Sequence, residues 1–162
     1  MKKIELSQQG KNKDKFVALV DDWNYENLNQ WRWQAHKERK TYYAVRTIYP
    51  EKKTIRMHNV IMNPLKGMLT DHEDHHGLNN QEYNLRNCNR SQNGANRIPS
   101  GKSKYLGVYF NNKSIRASIT VNNKCIKLGN FKTEELAAKA YDNAALKYHG
   151  EFANLNFSTV SL

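Results

Sequence analysis

Asp71-His72, followed by Asn84 and Asn93, is the constellation in this chain whose residue types and spacing can carry a reaction. Hydrolysing a phosphodiester requires a base to take a proton from water, a cation to take up charge on the phosphoryl oxygens, and a frame that holds the two in register. An imidazole titrates near neutrality and suits the first task. A carboxylate and an amide oxygen are hard ligands, fitted to Mg²⁺ or Mn²⁺ rather than to Zn²⁺ or another softer ion. The surrounding segment from Asp71 to Asn96, DHEDHHGLNNQEYNLRNCNRSQNGAN, is nearly empty of large apolar side chains and reads as a loop or a site, not as core. Asp74, His75 and His76 offer a competing zinc site, although neighbouring histidines in a polar loop are usually solvated.

The same stretch resembles the HNH endonuclease family in its variant ending in Asn. The resemblance rests on the Asp71-His72 pair, a loop holding Gly77 and Asn79-Asn80, the Asn84-Leu85-Arg86 signature and the later Asn93, and it runs roughly from Arg56 to Arg97. It implies a ββα-metal fold with Asp71-His72 on one strand, Leu85-Arg86-Asn87 on the next arm and Asn93 on a short helix. It also implies roles: His72 as general base, Asp71 and Asn93 as ligands of one divalent ion, and Asn84 as the residue that fixes the loop and orients His72. Glu73-Asp74-His75-His76 departs from the family, which commonly has an apolar residue followed by Asn-Gly here. Arg56 and His58 lie where family members often carry an Arg-x-His element, and are expected to pack or to contact phosphate rather than to react.

Several elements must position these groups. Phe16-Val17-Ala18-Leu19-Val20 reads as a short buried strand, and Tyr25, Leu28 and Trp31 at helical spacing predict a helix between Trp23 and Trp33. Trp23, Trp31 and Trp33 are expected in the core of this N-terminal unit rather than as a base-stacking platform. Thr41 to Ile48 is rich in β-branched and aromatic residues and ends at Pro50, as a strand or hairpin arm would. His58 to Met62 is a short apolar run stopped by Pro64 and Gly67. Ile98-Pro99-Ser100-Gly101-Lys102-Ser103-Lys104 has linker composition. The expected organisation is therefore an α+β unit over 1–97 with its nuclease core at 56–97, a linker at 98–104, a second domain at 105–157 and a tail at 158–162.

Beyond the linker, Tyr105 to Tyr109, Ile115 to Val121 and Cys125 to Leu128 alternate as three strands, with Asn122-Asn123 as the tight turn between the last two. Thr133 caps a helix whose apolar face, Leu136, Ala137, Ala140, Tyr141, Ala144, Ala145 and Tyr148, runs to Gly150. A three-stranded antiparallel sheet packed on one helix is the expected fold. Alternation turns Val108, Ile115, Ala117, Ile119, Val121, Ile126 and Leu128 toward the helix, and leaves Tyr109, Arg116, Ser118, Thr120, Cys125 and Lys127 on the open face. Such a face can lie in a major groove, where Arg and Ser/Thr distinguish bases and Lys positions the backbone. YLGVYF, RASITV and KLGNFKTEELAAKAYDNAALKYHGEFANLNF resemble the Apetala-two/ethylene-response-factor DNA-binding domain of plant regulators and mobile nucleases, from Lys104 to Phe157. The resemblance implies the same sheet-and-helix fold with its sheet in the major groove. Tyr109, Thr120, Cys125 and Lys127 stand where the plant domains carry Arg and Trp, so the plant target sequence does not transfer.

Charge and size agree with a DNA partner. The 162 residues carry a net charge of +11. Residues 1–70 hold fourteen basic and seven acidic residues, 71–97 three and four, 98–132 seven and none, and 133–162 two and four. A segment of this length without one acid is what a phosphate-facing surface looks like. The length excludes a large multidomain enzyme. Cys88 and Cys125, far apart, exclude a disulfide framework or a zinc ribbon. No stretch approaches a membrane span and the N-terminus lacks the apolar centre of a secretory signal, so an intracellular protein, cytoplasmic or nucleoid-associated, is expected. These readings converge on a sequence-targeted, metal-dependent endonuclease of homing or phage type acting on double-stranded DNA, with neither a membrane nor a small-molecule substrate. The alternative is a DNA-binding regulator with an inactive nuclease module. An RNA-binding protein fits less well, because aromatic residues do not cluster on the open sheet face.

Overall fold

The computed structural model describes residues 1–7, 16–38, 40–112 and 114–157, so the expected tail lies outside the described residues. The chain is α+β, with several small antiparallel sheets and few helices, and its packing divides it into two units, Met1–Cys88 and Asn89–Leu162. Among the described residues, no helix is long and apolar enough to cross a membrane.

In the first unit, β1 (Lys2–Leu6) pairs antiparallel with β2 (Phe16–Val20). The lysines of KKIEL conceal a period of two in the sequence, yet Ile4 and Leu6 are buried while Lys3 and Glu5 are exposed. The helix α1 (Asp22–Asn29) is shorter than the spacing predicted and stops before Trp31 and Trp33. A second sheet is formed by β3 (Gln34–Glu38), β4 (Thr41–Ile48) and β5 (Lys53–Arg56) in that order. One of its faces, with Ala35, Tyr42, Ala44 and Ile55, closes on a core of Ile4, Leu6, Ala18, Val20, Leu28, Trp33, Met57 and Leu78. The other carries Tyr43, whose ring meets His58 on α2 (Met57–Met62). Finally β6 (Leu69–His72) and β7 (Leu85–Cys88) pair as the arms of a long hairpin.

One expectation fails in this unit. Of the three tryptophans only Trp33 is core, 1% exposed with its indole donating to the Leu28 carbonyl at 2.8 Å; Trp23 is 70% and Trp31 45% exposed. The helix ends too early to carry Trp31 inward. Trp23 instead donates to Glu82 Oε1 at 2.9 Å, and the Trp31 ring lies 4.0 Å from the Arg46 guanidinium. The polar stretch after Asp71, read as a loop or a site, is largely buried: Asp71, His72, Leu78, Asn79, Asn80, Gln81, Asn84, Leu85 and Cys88 are all buried. Hydrogen bonds make that burial tolerable. Leu19 N donates to the Leu78 carbonyl and Asn80 N to the Leu19 carbonyl, both at 2.8 Å, while Asp21 accepts from Gln81 Nε2 and Glu82 N.

The second unit begins with α3 (Arg90–Ala95), which Asn89 and Gln92 close with a reciprocal capping box. The strands β8 (Val108–Asn111), β9 (Ser114–Val121) and β10 (Lys124–Phe131) form one antiparallel sheet in the order β10-β9-β8. Asn122 and Asn123 both adopt positive φ, as a two-residue turn demands. The helix α4 (Glu134–His149) starts where Thr133 Oγ1 accepts from Leu136 N at 3.2 Å. Its Ala137 and Ala138 pack with Val108 and Ala117, and its Tyr141, Ala144 and Ala145 with Leu106 and Ile119. The buried face is rotated from the expected one: Leu136 and Tyr148 are exposed, and Ala138 and Asp142 are buried. Asp142 is drawn inward because its carboxylate accepts from Asn156 N and Nδ2 and from Phe157 N, while Asn156 also pairs with both backbone groups of Leu106. Ile98 to Lys104 forms neither helix nor strand, but Ser103 is buried and donates to Glu134, and Asn154 Nδ2 donates to the Arg97 carbonyl. These bonds tie the approach to β8 into the second unit, and the packing boundary falls after Cys88, upstream of the stretch with linker composition.

Candidate active site and nucleic-acid face

The hairpin of β6 and β7 sets Asp71 opposite Arg86 and His72 opposite Leu85. Asp71 is 7% and His72 5% exposed. Arg86 brings Nε and Nη2 each to 3.2 Å from Asp71 Oδ2, and Nη1 to 4.0 Å from Glu73. The His72 ring lies against two others, 4.9 Å from His58 at 87° and 5.6 Å from Tyr43. Burial pushes the His72 pKa down to about 4, against the nearby charge of Asp74, which favours the proton. Burial likewise pushes His58 down to about 3, helped by His72 and by the Arg56 cation. Both imidazoles are neutral at pH 7, the state a proton acceptor must have.

Asn84 closes the segment between the two strands. Its Nδ2 donates to Asp74 Oδ1 at 2.9 Å and to the Asn79 carbonyl at 2.8 Å, and its Oδ1 accepts from Asp74 N at 3.0 Å. Asp74 also accepts from His76 N and Asn79 Nδ2; burial opposes its ionisation, yet these bonds and that of Asn84 hold its pKa below the usual value. Gly77 lets this segment seat on β4, since a Cβ there would lie 2.5 Å from the Tyr42 carbonyl oxygen and 2.7 Å from the Tyr43 ring. Asp74 is thus engaged in shaping the loop with Asn79 and Asn84. Among the described residues no three His, Cys, Asp or Glu side chains converge as a metal-holding group.

Arg56 ends β5 with its guanidinium 2.6 Å from Glu38 and 5.4 Å from the Tyr43 ring centre, and His58 on α2 is 3% exposed. Asn93 is an exposed residue of α3, in the second unit. Tyr43 and Glu38 did not stand out in the sequence. Tyr43 and Glu38 sit in ordinary strands, and only pairing across the sheet brings them beside Arg56 and the histidines.

In the second unit, Tyr109 pairs with Arg116, Ser118 with Lys127 and Thr120 with Cys125, so these six side chains share one sheet face. A register shift between Lys127 and Gly129 adds a residue to β10 and places Asn130 opposite Arg116. Asn130 therefore joins the open face, a position that ending the third strand at Leu128 left out. Gly129 inside a strand, with φ +133°, is the sequence signal that marks such a bulge.

No family model and no solved structure matches the chain. It is 37% identical over 86 residues to an uncharacterized HNH endonuclease of Acanthamoeba polyphaga mimivirus, a match covering 53% of this chain and 46% of that protein. It is 35% identical over 98 residues to an AP2-like ethylene-responsive transcription factor of Oryza sativa subsp. japonica, covering 58% of this chain and 15% of the relative. A further match, 36% over 104 residues, is to an ethylene-responsive transcription factor of Arabidopsis thaliana, covering 61% of this chain and 23% of the relative. The chain spans about half the length of the first relative and under a quarter of the other two. Each of the two resemblances read from the sequence thus has a partial likeness behind it.

Proposed function

We propose that this chain is a metal-dependent endonuclease that cuts double-stranded DNA, with a ββα-metal module over 56–97 and an Apetala-two-like reader over 105–157. The observation that carries this reading is the hairpin, which buries Asp71 opposite Arg86 and His72 opposite Leu85 beside a loop that Asn84 closes with three hydrogen bonds. The likeness to an HNH endonuclease supports the chemistry and the likeness to transcription factors supports the DNA partner. An origin in a phage or mobile element and an intracellular site of action belong to the same proposal.

In this mechanism His72 accepts a proton from the attacking water, which its neutral state at pH 7 permits. Asn84 acts at one remove by holding the loop beside it. The oxygen of the Asp71 carboxylate has the chemistry that a hard divalent ion takes, and Asp71 is the proposed ligand of one Mg²⁺ or Mn²⁺ in this unit. When bound, that ion would supply charge neutralisation at the phosphoryl oxygens. Arg86 holds the Asp71 carboxylate in place. The products expected are a 5′-phosphate and a 3′-hydroxyl. Tyr109, Arg116, Ser118, Thr120 and Lys127, with Asn130, are the proposed DNA contacts.

The full chain with plasmid DNA and Mg²⁺ or Mn²⁺ is expected to nick or linearise it, and His72→Ala to slow cleavage by about 10²–10⁴-fold. Equal cleavage by the variant removes His72 as the base. A wild type that binds duplex DNA and cuts none favours the second reading, a DNA-binding regulator with an inactive module. The observation on that side is that Arg86 already pairs with the Asp71 carboxylate.

A further inference from the structure

We propose that His58 is the positioning residue of this site: packed against His72 and enclosed by Tyr43, it sets the ring plane and the tautomer in which His72 works. The inference rests on the reading of His72 as the base and adds to it the group that orients that base.

Three observations carry it. The rings of Tyr43, His58 and His72 form a closed triangle with centroid separations of 5.5, 5.6 and 4.9 Å. The two imidazoles meet at 87°, so one presents its edge to the face of the other, the geometry in which a polar ring edge meets a π face. Second, His58 is one of only two buried residues on α2, at 3% exposure beside Met57 at 0%. Third, its Nδ1 is buried and has no hydrogen-bond partner among the described residues. A residue needed only to fill that space would serve better as Leu or Phe, because a buried nitrogen without a partner lowers stability. This buried imidazole keeps a nitrogen without a partner, and the ring it touches is that of the proposed base.

With two rings against it at 4.9 and 5.6 Å and only 5% of its surface exposed, the His72 imidazole is closely enclosed. A base held by a third group is the arrangement in which nucleophile activation ordinarily works. Here the third group is an imidazole on a neighbouring helix, delivered by the β5–α2 junction directly after Arg56.

The test uses three variants of the full chain: His58→Ala, His58→Phe and His58→Gln. Steady-state cleavage of a duplex in Mn²⁺ is expected to show kcat reduced at least about tenfold in His58→Ala with KM within about twofold. His58→Phe should regain the thermal stability lost in His58→Ala but not kcat, and His58→Gln, which keeps polar atoms, should regain part of kcat. Long-range ¹H–¹⁵N spectra read the His72 tautomer directly, one form in the wild type and a mixture in His58→Phe. Wild-type kcat in His58→Phe overturns the proposal, and so does an unchanged His72 tautomer. The spectra decide it even if the wild type cleaves no DNA, a result that would count against the nuclease reading alone.

Discussion

His58 and His72 owe their state at neutral pH to burial, and burial has a cost that pH can expose. Each imidazole has an ordinary pKa of 6.5, lowered in the fold to about 3 and about 4. Between those values the unfolded chain binds protons that the folded chain refuses. Their contribution to stability is therefore complete above pH 6.5 and is lost as pH falls toward 4 for His72 and toward 3 for His58. Urea unfolding at pH 7, 5.5 and 4.5 is expected to show this loss, at up to about 1.4 kcal/mol per pH unit for each imidazole. His58→Phe should flatten the slope by one imidazole's share; a slope that does not change would show that His58 is already protonated in the fold. At this scale the sequence singles out residues by their type and spacing. Asp71, His72 and Asn84 draw attention by type and spacing, whereas nothing near Tyr43 in the sequence connects it to His72.

Elements were legible where alternation or a cap is local. Phe16–Val20 and Thr41–Ile48 occur as read, and Thr133 caps α4. The strands β1, β3 and β5 were missed because lysine, glutamine and glutamate occupy their solvent positions and leave too few apolar residues to show a period. The buried face of α4 was misread because Asp142 is polar in the sequence and buried in the fold, bound to a segment beyond the helix end. One close approach in this unit can be tested. Gly107 has φ +76°, and a Cβ there would lie 1.9 Å from the Tyr141 ring. Gly107→Ala is expected to destabilise the protein by about 1–3 kcal/mol or more, from overpacking added to left-handed backbone strain. Thermal melts check this, and a Tm equal to the wild type's would mean that Tyr141 moves aside at no cost.

Across the whole molecule the charge of +11 is an average over segments of different sign. Residues 98–132, with seven basic side chains and no acidic one, supply Arg116 and Lys127 to the open face of the β8–β10 sheet. Each phosphate neutralised by the protein makes binding steeper in salt, with log K falling by about 0.9 per phosphate on duplex DNA. Lys127→Ala is expected to lower that slope by about one and to weaken all duplexes alike, whereas Arg116→Ala should cost about 1–3 kcal/mol on a preferred sequence and relax the preference. Fluorescence anisotropy across a salt series, with duplex DNA and RNA of equal sequence, measures both; equal affinity for the two nucleic acids would remove the groove-reading role.

The sequence by itself determined the inward and outward sides of β9, the Asn122-Asn123 turn and the start of α4, because each depends on residues a few positions apart. Only the tertiary structure decided which of them meet. The exclusion of water from His58 and His72, the approach of Tyr43, the placing of Asn130 beside Arg116 through a bulge, and the exposure of two of three tryptophans all depend on strand register and on contacts between segments distant in the chain. Those are properties of packing, and local residue patterns leave them open.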